Sequence, residues 1–447
     1  MFRMTNPVRD YAWGSTSAFS THFGWAPSTA PQAEIWMGAH PAAPSSVTAD
    51  DGAQTSLLEH FPGKTAPSFP YLLKVLAAER PLSIQTHPAK EQAEAGFSAE
   101  EAAGIPADSP QRNYVDPNHK PELIVALGSF SALCGFRPQA EAKSELCMLR
   151  DVLEHFPPPP ASQEEGASQE ESASHQEQGA EQTASEHPPL APLFVFDRLV
   201  TFLDHQDYAG ALDYILRSGR EDSIQASRAV NALFSRRAGR APRPRTGLPS
   251  KTIDTLTRVT RSSPGDPSIL VTLLMNRVDL SPGEALYLPA GNLHAYLYGL
   301  GVELMANSDN VLRGGLTSKH VDVEELLSVT ACEVLPIPHC PAEQAGPGRY
   351  SYRPPFEEFQ LKRIEFPQAQ GPVRIHPTPP AVLLCTAGEL EVTDDDGALL
   401  TLGPGESALL TTEAAVTITA EGRAQAFLAL PGRAPGSPLP ADPADRS

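Results

Sequence analysis

Positive charge is what this sequence most lacks: 34 lysines and arginines face 54 aspartates and glutamates, for a formal charge of -20 over 447 residues. A deficit of that size argues against the basic face with which proteins grip nucleic acid or an anionic membrane. It does not exclude a small anionic substrate, because a pocket's field is set by its own few Lys and Arg. Cysteine is scarce too. Cys134, Cys147, Cys332, Cys340 and Cys385 are odd in number and include no C-x-x-C pair, so reduced thiols are expected. No apolar run is long enough to span a bilayer, and Met1-Phe2-Arg3-Met4 leads into the chain without an apolar signal core. These absences predict a soluble, cytoplasmic protein with neither nucleic-acid nor membrane partners. The length allows two or three compact units.

Three stretches carry residues able to hold a metal. In Pro81-Leu82-Ser83-Ile84-Gln85-Thr86-His87-Pro88, strand alternation puts Ser83, Gln85 and His87 on one face and Leu82, Ile84 and Thr86 on the other. A face carrying Ser, Gln and His is poor core material unless a metal or ligand satisfies it, and in isolation it reads as a solvent-facing edge. Asn118-His119-Lys120-Pro121-Glu122 runs into the apolar segment Leu123-Ile124-Val125-Ala126-Leu127, which stands Glu122 at the mouth of a buried strand. Pro282-Gly283-Glu284-Ala285-Leu286-Tyr287-Leu288-Pro289-Ala290-Gly291-Asn292-Leu293-His294 gives a turn, a short strand, a second tight turn and a histidine. Gln85, His87, Glu122 and His294 together offer two imidazoles, a carboxylate and an amide oxygen. That mixed set suits one Zn2+ with a position left open.

The remaining sequence alternates strand-like and helical regions. Residues 6–75 mix short apolar segments with Gly and Pro, and His40 there reads as a structural hydrogen-bonding residue. Helices are expected over 90–103, 140–156, 193–217, 221–235 and 250–261, with Asp266-Pro267 starting another and 322–327 forming a short one. Pro157, Pro158, Pro159 and Pro160 stop the second of these. Residues 161–187 then hold no large apolar side chain and read as a disordered acidic insertion within 157–190. Residues 236–245 form a basic, Pro-containing loop, read as solvated. After 331 the pattern returns to strands, including 381–385, 389–392, 399–402 and 407–412, and 435–447 reads as a frayed tail.

The spacing Gly283, Pro289, Gly291, His294 resembles the second cupin motif, and Gln85-x-His87 stands where most cupins carry H-x-H. With the glutamate displaced to Glu122, the combination is similar to the type I phosphomannose isomerases. Further matches are Asn6-Pro7-Val8, Tyr11-Ala12-Trp13-Gly14-Ser15, Ala33-Glu34-Ile35-Trp36-Met37-Gly38-Ala39-His40-Pro41 and Tyr71-Leu72-Leu73-Lys74-Val75-Leu76. The most specific is Glu303-Leu304-Met305-Ala306-Asn307-Ser308-Asp309-Asn310-Val311-Leu312-Arg313-Gly314-Gly315-Leu316-Thr317. The likeness is close over 6–137 and 266–327 and loose elsewhere.

The resemblance implies a mainly β protein with an inserted α-helical domain and two cupin-like jelly-roll barrels, the first catalytic and the second degenerate. The expected division is 1–137 and 263–330 for the catalytic domain, 138–262 for the helical insert and 331–434 for the second barrel. It further implies a monomeric, zinc-dependent isomerase acting on a sugar phosphate: D-mannose 6-phosphate and D-fructose 6-phosphate would interconvert through an enediol, supplying GDP-mannose synthesis or mannose catabolism. Arg313, Lys120 and Glu303 are the expected catalytic residues, with Ser83, Lys74 and Lys319 on the substrate. The base is left open among Glu303, Lys120 and His119, and a hydride shift stands beside proton transfer. Two rivals are a metal-containing cupin that only binds a sugar or anion, and an iron-dependent cupin dioxygenase. Lys120 and Arg313 beside an open metal argue against the first, and a ligand set with Gln and no third His against the second.

Overall fold

A computed structural model describes residues 1–48, 52–61, 69–155, 191–234, 246–368 and 371–432. The expected insertion at 157–190, the basic loop at 236–245 and the tail at 435–447 lie outside the described residues. The chain divides into two compact units, one of Met1–Phe136 with Asn276–Ser447 and one of Arg137–Met275.

In the first unit everything near the metal-ligand candidates hangs on one strand of 13 residues, His294–Ala306. Its sequence is apolar on both faces, as a strand covered on both sides must be. Its C-terminal half pairs on one side with Tyr71–Ala78, from Gly299 opposite Ala78 to Ala306 opposite Tyr71. On the other side it pairs with Glu122–Ala126, with Met305 opposite Glu122. Its first residues pair instead with Phe130–Phe136 and with Ile84–Thr86, where His294 stands opposite both Cys134 and Gln85. A register shift between Tyr296 and Tyr298 separates the two halves. Gly299 follows it at φ 128°, with the Ser129 carbonyl oxygen 2.6 Å from where a Cβ would stand, so only glycine fits there.

The strand belongs to a ten-stranded sheet that packs on a nine-stranded one. The core between them takes Met37, Tyr71, Leu73 and Val75 from the first and Leu361, Val382, Leu384 and Phe427 from the second. The nine-stranded sheet joins distant parts of the chain: Phe2–Thr5 pairs with Ser407–Leu410. A four-stranded sheet of Val373–Ile375, Val416–Thr419, Leu390–Asp394 and Leu399–Leu402 covers the far side, over a core with Leu383, Cys385 and Leu428.

The second unit is helical: Gln139–His155, Ala191–Asp204, Tyr208–Asp213, Arg220–Phe234 and Ser250–Ser262. The single helix expected over 193–217 is broken. Gln206 adopts φ 56°, the Asp207 side chain accepts from the Gly210 amide at 2.7 Å to start a new helix, and Tyr214–Ser218 winds as a π-helix. Asp266 caps as expected, accepting from the Ser268 amide, but what it starts is a 3-10 turn, Pro267–Ile269. Among the described residues no helix is long and apolar enough to cross a membrane.

Candidate metal centre

His87, Glu122 and His294 converge, all buried, with one ligand atom of each within 4.8 Å of the others. Each arrives differently. His87 follows the strand Ile84–Thr86, Glu122 opens the strand Glu122–Ala126, and His294 opens the long strand after the tight turn at Gly291, φ 76°. Backbone carbonyls fix both imidazoles. His87 Nδ1 lies 2.8 Å from the Asn310 oxygen and His294 Nδ1 lies 2.9 Å from the Asn292 oxygen. A carbonyl can only accept, so each Nδ1 carries a proton, and Nε2 is the nitrogen that each ring turns to the centre.

Glu122 Oε1 stands 3.4 Å from His87 Nε2, and Oε2 stands 3.6 Å from His294 Nε2. Lys120 Nζ approaches Oε1 at 2.8 Å. Burial alone would push the Glu122 carboxyl up. The Lys120 ammonium, with His87 and His294 contributing less, outweighs it and holds the carboxyl well below the usual range. Burial drives His87 the other way, down to about 4, against the pull of Glu122, so its ring is neutral.

Two atoms of this cluster, His87 Nε2 and Glu122 Oε2, are buried without a hydrogen-bond partner. Leaving such atoms unmet costs about 1–3 kcal/mol each, more for a charge. Two imidazole nitrogens and a carboxylate aimed at one point are a donor set that a zinc ion takes, so these residues fit the metal. Gln85 is half-buried, its amide nitrogen drawn 3.3 Å from His294 Nε2. Amide nitrogen and oxygen exchange by a half-turn, which would present Oε1 to the same point.

The other candidates fall into two groups. Glu303 and Lys74 face each other across the long strand and its neighbour. Glu303 is 3% exposed; it accepts from Lys74 Nζ at 3.1 Å and from Tyr296 Oη at 2.8 Å. Lys74 also lies 3.6 Å from Glu34 and 5.3 Å above the Trp36 ring, and the Trp36 indole donates to Glu34 at 2.7 Å. Burial raises the Glu303 carboxyl, Lys74 opposes that, and Glu122 and Glu34 add to it. Lys74 is thus already engaged by two carboxylates. Arg313, half-buried, stands opposite Gln85, and burial lowers its proton affinity. Lys319 is exposed, and its ammonium is lowered by partial burial and by the charge of Arg313, so these two cations share a rim. Ser83 is half-buried, one step outside the Ile84–Thr86 strand. His119 Nε2 is drawn to Glu358 Oε1 at 2.6 Å.

Asn310 escaped the sequence reading as a site residue. Its carbonyl orients His87, and its side chain ties down the loop before Lys120 through the Val115 amide and the Asp116 and Asn118 carbonyls. Only its place in the Asp309-Asn310-Val311-Leu312-Arg313 run hinted at this. Asn292 and Tyr296 were missed likewise. His40 is structural as expected: it is buried, accepts from the Ala42 amide and lies 3.3 Å from Asp309.

The profile described as phosphomannose isomerase type I, catalytic domain, matches residues 1–139. Mannose-6-phosphate isomerase of Salmonella typhimurium is 34% identical, covering 95% of this chain and 98% of that protein. The enzyme of the same name from Escherichia coli is 33% identical over the same shares. Among solved structures, a zinc-bound mannose 6-phosphate isomerase aligns with TM-score 0.75 and 30% identity, covering 97% of this chain and 99% of that one.

Proposed function

The chain belongs to the type I phosphomannose isomerases, and from that premise we propose that it interconverts D-mannose 6-phosphate and D-fructose 6-phosphate by proton transfer through an enediol. It is an isomerase, and its cofactor is Zn2+. The observation that carries the reading is the convergence of His87, Glu122 and His294, with two buried ligand atoms left unmet by protein. These three, with Gln85 turned to present its oxygen, hold the metal. When bound, zinc supplies Lewis acidity that offsets negative charge growing on the substrate oxygens.

The chain's own groups do the rest. Lys120, 2.8 Å from Glu122 and 9% exposed, keeps an ammonium beside the reacting carbons, where it holds or returns a proton. Glu303 is the second acid-base group, its proton affinity raised by burial and its two oxygens aimed by Lys74 and Tyr296. Arg313 and Lys319, close enough to depress the lysine's proton affinity, form with Ser83 the seat for the sugar phosphate. An anion there relieves the repulsion between the cations. Lys74 then serves Glu303 and not the substrate.

The same proposal places the protein in the cytoplasm as a monomer, supplying mannose for GDP-mannose synthesis or catabolism. Two barrels are proposed on this frame, one around the long strand and one between the nine- and four-stranded sheets. The test is conversion of mannose 6-phosphate by the purified protein, after chelation and again after zinc is restored, beside His294→Ala. Loss, recovery and an inert variant are expected. A fully metallated wild type that converts nothing sinks the catalytic reading.

A further inference from the structure

The loop before Glu122 is held from both ends. Upstream, Asn310 and Ser308 side chains grip the Asn118 carbonyl at 2.8 and 3.0 Å, and Lys90 reaches Pro117 and Asn118. Downstream, the Pro121 carbonyl accepts from Ala306 at 3.2 Å and Glu122 enters its strand. Between these anchors lie His119 and Lys120. Lys120 turns inward to Glu122; His119 turns to Glu358, 2.6 Å away.

Glu358 comes from a distant part of the chain and stands on a rigid mount. Phe356 and Phe359 flank it and meet edge to face at 5.2 Å, with Phe359 in the core and Phe356 also against Tyr287. Tyr287 stands opposite Leu123, the residue after Glu122. The Glu358 carbonyl accepts from Gly432 at 2.9 Å, and its Oε2 accepts from the Glu357 amide at 3.0 Å. Its other oxygen is thereby a fixed point for His119.

We propose that Glu358 is a positioning residue for the isomerase site, holding His119 and so the turn that aims Lys120 at Glu122. The C-terminal part of the chain, which offers no metal ligand among the residues above, thereby completes the site. This rests on the isomerase reading. A partner that orients a site residue commonly affects activity far more than its own modest bond would affect stability.

The test compares wild type, Glu358→Ala and Glu358→Gln in kcat, KM, zinc content and unfolding midpoint. Glu358→Ala is expected to lose about tenfold to a hundredfold in kcat/KM, carried mainly by kcat, with zinc content and midpoint near wild type. Glu358→Gln keeps an oxygen acceptor for the His119 N–H and is expected to recover most of the loss. An active wild type with an unaffected Glu358→Ala overturns this inference alone. So does a loss in proportion to zinc or to the midpoint, or a Gln variant as impaired as Ala. An inactive metallated wild type overturns the isomerase reading and this inference with it.

Discussion

Replacing Tyr296 with Phe deletes one hydroxyl from the buried group around Glu303 and little else. The ring keeps its edge-to-face contact with Phe130, centroids 5.2 Å apart, so no sizeable cavity opens. What goes is the 2.8 Å bond to Glu303 Oε1, between two residues each 3% exposed. A hydrogen bond to an ionised partner contributes about 1.5–3 kcal/mol, against about 0.5–1.5 for a neutral pair. Tyr296→Phe should therefore destabilise by about 2 kcal/mol in the native background and by about 1 where Glu303→Gln has removed the charge. The coupling of about 1 kcal/mol exceeds the 0.3–0.5 expected of independent sites. Urea unfolding followed by tryptophan fluorescence suits the measurement, because Trp13, Trp25 and Trp36 all lie in the first unit and report on it without the helical one. A single-variant loss under about 0.5 kcal/mol, or equal losses in both backgrounds, would falsify the claim that this hydroxyl holds an ionised Glu303.

Three further outcomes follow from the geometry. Gly299→Ala must fit a Cβ 2.6 Å from the Ser129 oxygen at φ 128°, and should cost more than the 1–3 kcal/mol of ordinary overpacking, read as a lower urea midpoint. Arg313→Lys keeps the charge but loses the planar fork. The loss of one charge-assisted bond to substrate, about 1.5–3 kcal/mol, predicts roughly a tenfold to hundredfold fall in kcat/KM, and an unchanged zinc content separates this from damage to the metal group. Burial pushes the Cys385 thiol up to about 12, while Cys147 is exposed. Alkylation of the folded protein at pH 8, mapped by mass spectrometry, should therefore label Cys147 well before Cys385; equal labelling would contradict the placement of Cys385 in the core.

The convergence of His87, Glu122 and His294 was legible in the sequence because its signals are local. Gln85 and His87 sit two apart, Glu122 introduces an unbroken apolar run, and the glycines and proline before His294 announce the turn that presents it. The helix Lys90–Ala102 was equally plain, with Gly104 at φ 70° just beyond its end. What pattern cannot carry is pairing between distant segments. Nothing in Phe2–Thr5 tells that it pairs with Ser407–Leu410, nor in Glu358 that it meets His119. The surroundings of Lys74 were hidden for a related reason: its strand is apolar on both faces, so alternation could not say that its ammonium meets Glu34 and Glu303. The break at Gln206 was hidden by continuing helical periodicity, and only the cap at Asp207 marks it.

The first unit is sewn together across great sequence separations. Gln85 and His294 meet 209 positions apart, and Asn6 bonds Ser407 at 401. Loops of that length close slowly, because contacts near the nascent end have no partner until the distant strand exists. At synthesis rates of roughly 5–20 residues per second, about 20–80 s pass between making Asn6 and making Ser407. Until His294–Ala306 is made, Tyr71–Ala78, apolar but for Lys74 and central in the finished sheet, has a neighbour on one side only, Glu34–Met37. The helical unit, whose contacts lie within Arg137–Met275, can fold meanwhile. The same topology that gives three sequence-distant side chains a common centre therefore leaves that centre incomplete until His294 has been made.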